Sequence, residues 1–236
     1  MIEILAEKRV FAYSIAIIYN ILMTYKRTKK ISVSISSTVI AIILGTLIAR
    51  IIWFINGGCQ DIQGLFLLKL TNFKISGVLI GGMLGMIVSV KIFAKYKEEL
   101  IDTMMESIFL SATVGKIECF IRGCCVGIAL PEKILPYTVA LGYKRVYFPI
   151  QLLEAIVWFG GFLILLLLKN KMSRLKRVSI AILEYVMARM FILEHLYKYR
   201  KLFGGPKMAA IYSCIIIICL IILVKDKKRK NNIANN

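Results

Sequence analysis

The chain has 236 residues, 59% of them hydrophobic and 19% charged, with a mean hydropathy of +0.77. That balance excludes an ordinary water-soluble domain and points to a protein with several membrane spans. The formal charge of +19, from 32 Lys and Arg against 13 Asp and Glu, would suggest nucleic acid in a soluble protein. Here most of the excess borders the ends of apolar runs, where topology and anionic lipid account for it, and no nucleic-acid motif accompanies it.

Crossing ~30 Å of hydrocarbon takes an apolar run of about 17–25 residues. Runs near residues 10–25, 32–55, 75–94, 104–122, 149–168, 177–197 and 207–224 meet that length or come close, and predict an all-α bundle of seven spans. The first is short, but its flank MIEILAEKRV carries Glu3 and Glu7 and no cleavage site follows, so it reads as an uncleaved span. GLFLLKL (64–70) is too short to cross. With no repeat, heptad pattern or Gly/Ser linker to divide it, the whole of 1–236 is expected to form a single polytopic domain.

Lys and Arg are dense in the connections KRTKK (26–30) and KNKMSRLKR (169–177) and in the tail KDKKRK (225–230). They are sparse in 56–74 and 123–148, which predicts an N-terminus outside and a C-terminus in the cytoplasm. The segment KYRKLFGGPK (198–207) is basic for an outer loop.

With that topology, the polar residues within spans gather in the outer half of the bilayer: Tyr13, Arg50, Ser76, then Lys116, Glu118 and Cys119, then Glu154, then Arg189 and Glu194. Lys91, Glu106 and Glu184 fall nearer the inner side. A charged residue in a span costs about 2.5–3.5 kcal/mol on insertion scales, so several in one layer must face the bundle interior and find partners there. Two readings are open: a structural ion-pair network, such as Arg189 with Glu154 or Glu118, or a polar site for a phosphate head group, gripped by an Arg fork and a Lys point charge. Gly77, Gly81 and Gly85 form GxxxGxxxG, the pattern of close helix packing. Trp53 and Trp158 read as interfacial anchors.

The order and spacing of ISGVLIGG (75–82), GKIECFIRGCCVG (115–127), FPIQLLEA (148–155) and YVMARMFILE (185–194) resemble the bacterial prolipoprotein diacylglyceryl transferases over most of the chain. The resemblance implies transfer of a diacylglyceryl group from phosphatidylglycerol to the thiol of a lipobox cysteine in an exported prolipoprotein, in the bacterial cytoplasmic membrane, without a cofactor. It implies Lys116, Arg189, Glu154 and Tyr13 as catalytic residues, and Arg50, Lys116, Arg189, Gln151, Gly123 and Gly127 as lipid and phosphate contacts. The departures are specific. Ser76 and Phe148 stand where the family has histidine. Lys116, Glu118, Cys119, Arg122 and Cys124 replace an Arg, a Gly, two Asn and a Glu of its signature, and its glutamate four residues beyond Arg189 falls on Leu193, with Glu194 one place out of register.

Cys119, Cys124 and Cys125 match none of the common zinc spacings and have no histidine close in sequence, so no metal is expected. They are open to reading as a reactive thiol site, activated by Lys116 and Arg122, as small packing residues, or, for Cys124 or Cys125, as one end of a disulfide to Cys59. Cys214 and Cys219 read as packing residues, and the lone His195 as a stand-in for the missing base or an incidental interfacial residue. The function expected is therefore that of a diacylglyceryl transferase with altered or reduced activity. The alternative is a non-catalytic descendant that binds a lipid or an exported peptide. A transporter is a weaker reading, because no paired broken half-helices occur in corresponding halves.

Overall fold

The computed structural model describes residues 2–55, 75–121, 123–131, 138–139, 146–197 and 206–234. A helix covers most of each of the seven apolar ranges: α1 (Ile2–Thr28), α2 (Ile31–Ile55), α3 (Ile75–Ile92), α4 (Lys97–Ile121), α5 (Ile150–Leu167), α6 (Arg174–Ala188) with its extension, and the C-terminal helix. That extension is a π turn (Arg189–Leu193) running into the short α7 (Glu194–Leu196), and the C-terminal helix is α8 (Pro206–Ala234). Among the described residues two segments, Ile31–Ile52 and Ile150–Leu167, are long and apolar enough to cross a membrane, and Ile80–Ile92 and Ala210–Val224 are shorter apolar stretches. Ile43, Ile156 and Leu167 are exposed, while Ser34, Ser37, Gln151 and Glu154 are buried. Apolar outside and polar inside is the arrangement a helix bundle needs in lipid.

The chain divides into two compact units, Met1–Ile108 and Phe109–Asn236. In the first, α1 and α2 form a hairpin with two residues between them. Lys29 takes the left-handed conformation (φ 56°) that ends a helix, its N–H donating to Tyr25 O at 2.8 Å. The Thr28 hydroxyl donates to Thr24 O at 2.8 Å and accepts from the Lys30 N–H at 3.2 Å. Polar side chains tie α1 to α2, with Asn20 donating to Thr38 Oγ1 at 3.0 Å and the Ser34 hydroxyl to Ile21 O at 2.6 Å.

Gly81 lies against the backbone of Leu44 and Gly45, and Gly85 against that of Ala41. A Cβ at either position would collide with α2, so two of the three GxxxGxxxG glycines are packing residues; the surroundings of Gly77 lie outside the described residues. Val33, Met86, Leu100 and Met104 form the apolar core of this unit. Beside it Arg27, in the last turn of α1, donates through Nη2 to both oxygens of Glu106 at 2.6 and 2.7 Å and through Nη1 to Thr103 Oγ1 at 2.9 Å. The Tyr19 hydroxyl donates to Glu106 Oε2 at 2.8 Å.

In the second unit the end of α4, α5, α6 and α8 carry the packing. Trp158 stacks on Tyr185 (centroids 3.9 Å apart) and meets the edge of Phe109 at 5.2 Å. The anchor role expected for it gives way to packing within the unit, because its ring has two aromatic partners there. Gly161 lies against the Phe109 ring, and Arg177 donates to Leu165 O at 2.8 Å, closing the α5–α6 hairpin. β1 (Thr138–Val139) pairs antiparallel with β2 (Val146–Tyr147). Residues 127–130 lie between β2 and the end of α7: the Ile128 N–H donates to Leu196 O at 2.8 Å, the Phe148 N–H to Ile128 O at 2.9 Å, and the Leu130 N–H to Val146 O at 3.0 Å.

Candidate active site

The site grows from Glu154, one turn into α5, whose side chain is 2% exposed. An isolated carboxylate at such a position would be costly, and here four donors meet it. Lys116 Nζ lies 2.7 Å from Oε2 and Arg189 Nη1 3.2 Å from Oε1. The Tyr185 hydroxyl donates to Oε1 at 3.4 Å, and the Tyr197 hydroxyl donates to Oε2. Lys116 also donates to the Tyr197 hydroxyl at 3.3 Å, and the Arg189 guanidinium lies over the Tyr197 ring, 4.6 Å from its centroid. Cation–π contact and ion pairing thus hold Arg189 from two directions.

Glu194 is the second anchor. Arg189 Nε donates to its Oε1 at 2.7 Å, and the Tyr212 hydroxyl of α8 to the same oxygen at 3.4 Å. In a regular α-helix a residue five places on lies about 140° around the axis, on the wrong face for such a pair. The π turn removes that offset: the Glu194 N–H bonds Arg189 O, so the wide turn takes in one extra residue and returns Glu194 to the face of Arg189. Leu193, the residue at the α-helical spacing, is fully buried instead.

The cations of the cluster are its accessible members. Side-chain exposure is 24% for Lys116 and 20% for Arg189, against 11% for Glu194 and 2% for Glu154. The carboxylates thus hold two cations in place from beneath, which is how a protein keeps positive charge ready for an anion.

The turn after α4 completes the site. Gly123 (φ 63°) and Cys125 (φ 55°) are both left-handed; for cysteine that costs about 1–2 kcal/mol. The reversal brings the Cys124 N–H to Cys119 O at 3.1 Å and draws the sulfurs of Cys119, Cys124 and Cys125 within 4.8 Å of one another. Gln151 donates to Cys124 O, fixing the turn to α5. Sulfur hydrogen bonds from Cys119 and Cys124 push the Cys125 thiol far below its ordinary pKa, and Lys116 and Arg189 act in the same direction. A Cβ on Gly127 would strike Phe148 O and Leu196 O, so only glycine fits between those two backbones.

These elements hold Lys116, Gln151, Glu154 and Arg189, from three of the four sequence stretches singled out above, in one unit, and the comparisons with known proteins agree. The sequence model described as prolipoprotein diacylglyceryl transferase matches residues 9–225. The chain belongs to the prolipoprotein diacylglyceryl transferase family. It is 30% identical over 229 residues to the phosphatidylglycerol–prolipoprotein diacylglyceryl transferase of Clostridioides difficile (strain 630), covering 92% of this chain and 90% of the relative. It is 28% identical over 173 residues to the phosphatidylglycerol–prolipoprotein diacylglyceryl transferase 2 of Clostridium perfringens (strain 13 / Type A), covering 66% and 64%.

Of the residues that the family resemblance suggests, Lys116, Arg189, Glu154, Gln151, Gly123, Gly127 and the three cysteines all belong to the second unit. Arg50 is buried at 4% exposure near the end of α2, in the first. The side chains of Tyr13 and Ser76, and Arg122 and Cys59 altogether, lie outside the described residues. Tyr197 and Tyr212 were not among the expected site residues. Tyr197 stands beside Tyr199 near the end of a span, where membrane proteins usually place interfacial anchors, and that more common role masks the polar one; Tyr212 lies in the apolar run of α8, where nothing nearby signals a polar contact.

Proposed function

We propose that this chain transfers the diacylglyceryl group of phosphatidylglycerol to the cysteine thiol of an exported lipobox peptide. It does so as one polytopic domain of seven spans in the bacterial cytoplasmic membrane, with its N-terminus outside and its C-terminus in the cytoplasm. The observation that carries the reading is the pair of partly exposed cations, Lys116 and Arg189, held on one buried carboxylate. A lipid phosphate meeting them gains a point charge from Lys116 and a planar donor from Arg189 without any rearrangement of charge.

In the reaction the acceptor sulfur, as thiolate, attacks the glycerol carbon bonded to phosphate. The carbon–sulfur bond forms as the carbon–oxygen bond breaks, and the electron pair leaves on the oxygen of glycerol phosphate. Lys116 and Arg189 stabilise the charge that develops there, the kind of term worth about 10²–10³-fold in rate for a single donor. By the family resemblance Arg50 and Tyr13 are lipid contacts as well, and in the second unit Gln151, Gly123 and Gly127 shape the turn beside the two cations.

The thiol proton is the weak point. Glu154 already accepts from four donors, so it serves as an anchor for the cations and is poorly placed to receive a proton. Ser76 and Phe148, which stand where the family has histidine, offer no base near neutral pH. The protein therefore binds phosphatidylglycerol and transfers its diacylglyceryl group slowly to a generic lipobox peptide. The same two residues favour the second reading, a lipid- or peptide-binding descendant without catalysis. A transfer assay with labelled phosphatidylglycerol, run beside Ser76→His, separates them. Slow transfer accelerated by the histidine supports the enzyme; tight lipid binding with no transfer by either protein supports the binder. Single cysteines at Asn72 and Lys171 in a cysteine-free background test the topology: an impermeant maleimide should label the first in intact cells and spare the second.

A further inference from the structure

The cysteine turn holds more chemistry than phosphate binding uses. Three thiol sulfurs, from the last turn of α4 and the reversal after it, lie within 4.8 Å of one another, and none of these cysteines is in a disulfide. A three-coordinate ion with metal–sulfur bonds of about 2.3 Å holds its sulfurs about 4.0 Å apart, so the trio needs only a small contraction to close on one. Among the described residues the group contains no histidine and no carboxylate, so its donor set is entirely sulfur. All-thiolate sites select soft ions, and a set of three with no fourth among the described residues suits a monovalent d¹⁰ ion better than zinc, which takes four ligands in structural sites.

We propose that Cys119, Cys124 and Cys125 form a three-thiolate site for a soft monovalent metal ion, Cu(I) by chemical class.

The backbone is arranged for this convergence. Left-handed Gly123 and Cys125 turn residues 124 and 125 back over Cys119, the Cys124 N–H closes on Cys119 O, and Gln151 clamps Cys124 O from α5. Three thiolates and one monovalent cation leave a net charge of −2, and Lys116 and Arg189 act electrostatically on Cys125 from the neighbouring cluster. Zinc spacing rules do not detect such a site. They describe two ligand pairs separated by a long loop, whereas these three ligands come from one helix end and one turn. Binding releases the thiol protons to solvent and leaves the oxidation state of copper and sulfur unchanged.

The test uses the full chain in detergent, reduced and kept free of oxygen, titrated with Cu(I) held by a chromophoric chelator of known affinity. One Cu(I) per chain should transfer to the protein, with an ultraviolet thiolate-to-metal band growing in step. Cys119→Ser and Cys125→Ser should each weaken binding by at least about 100-fold, while Cys214→Ser and Cys219→Ser leave it unchanged. Phosphatidylglycerol co-purification and monodispersity in detergent report that each variant is folded. Uptake well below one ion per chain, uptake that survives the triple serine variant, or a disulfide within the trio in freshly purified protein would each overturn the proposal.

Discussion

Among the described residues, each unit of this protein buries one ion-paired cluster, and the two clusters are built on opposite plans. In the first, one arginine meets one glutamate, and both disappear: the side chains of Arg27 and Glu106 are 9% and 1% exposed, with Thr103 adding a hydrogen bond to Arg27 and Tyr19 one to Glu106. In the second, two cations share Glu154, a second carboxylate steadies one of them, and the cations keep 24% and 20% of their side-chain surface. The first cluster is closed on itself and has the form of a structural clasp. The second is closed only below, where the carboxylates are, and open where the positive charge is. Burial and pairing alone do not mark a functional site in a membrane bundle, since both clusters have them; which sign of charge stays accessible is what separates the two.

The largest effect should come from breaking the clasp. Glu106→Ala leaves Arg27 buried and unpaired, and removing one partner of a buried pair costs about 3–5 kcal/mol. Thermal unfolding in detergent should show this loss, while the fraction that stays folded binds phosphatidylglycerol as before. Lipid binding lost without any loss of stability would contradict the division of labour.

Arg189→Ala should do the reverse. Phosphatidylglycerol co-purification falls away, and any transfer activity drops by about 10²–10³-fold, the effect of removing one preorganised donor. Arg189→Lys should keep part of both, because it retains the charge and loses the fork. Unchanged lipid retention in the alanine variant would return Arg189 to the same structural class as Arg27.

Tyr197→Phe is a finer probe of the same cluster. It removes the hydroxyl that bridges Lys116 and Glu154 and leaves the ring under Arg189. A hydrogen bond to a charged group is worth about 1.5–3 kcal/mol, so lipid affinity should fall by roughly 10- to 100-fold with little change in stability. A thermal shift as large as that of Glu106→Ala, with affinity intact, would show the tyrosine to be a packing residue.

How much of the molecule is legible in its sequence depends on the physics of each feature. The helices are legible because long apolar runs fix them, and Lys116, Glu154 and Arg189 stand out because charge within a span is expensive. The clasp is not legible. Arg27 belongs to KRTKK, a run that signals topology by its charge, and nothing in the sequence shows that Arg27, in the last turn of α1, pairs inward with Glu106. The thiol cluster depends on two left-handed residues at 123 and 125. The glycine hints at its own conformation, but a cysteine does not. Glu194 is visible as an intramembrane charge but reads as out of register, because helical spacing is counted at 3.6 residues per turn and the π turn does not obey that count.

The extra residue of the π turn yields the smallest expected effect and the most specific one. A π turn is an α-helix with one residue added, so removing one residue from it should restore regular i, i+4 geometry without rotating the residues beyond it. Ile192 is the residue to remove, being half exposed and absent from the polar cluster. In a Glu194-containing chain lacking Ile192, the carboxylate stands four residues after Arg189, the ion pair re-forms in a plain helix, and Tyr197 keeps its place beneath the guanidinium. Phosphatidylglycerol retention should then change by no more than about 3-fold, a difference of well under 1 kcal/mol at 1.4 kcal/mol per tenfold. Deleting Ala181, fully buried in the regular part of α6, turns every later side chain by about 100° and should abolish binding. If loss of Ile192 is as damaging as loss of Ala181, the Arg189–Glu194 pair does not depend on the extra residue, and the wide turn serves some contact other than aligning the cation.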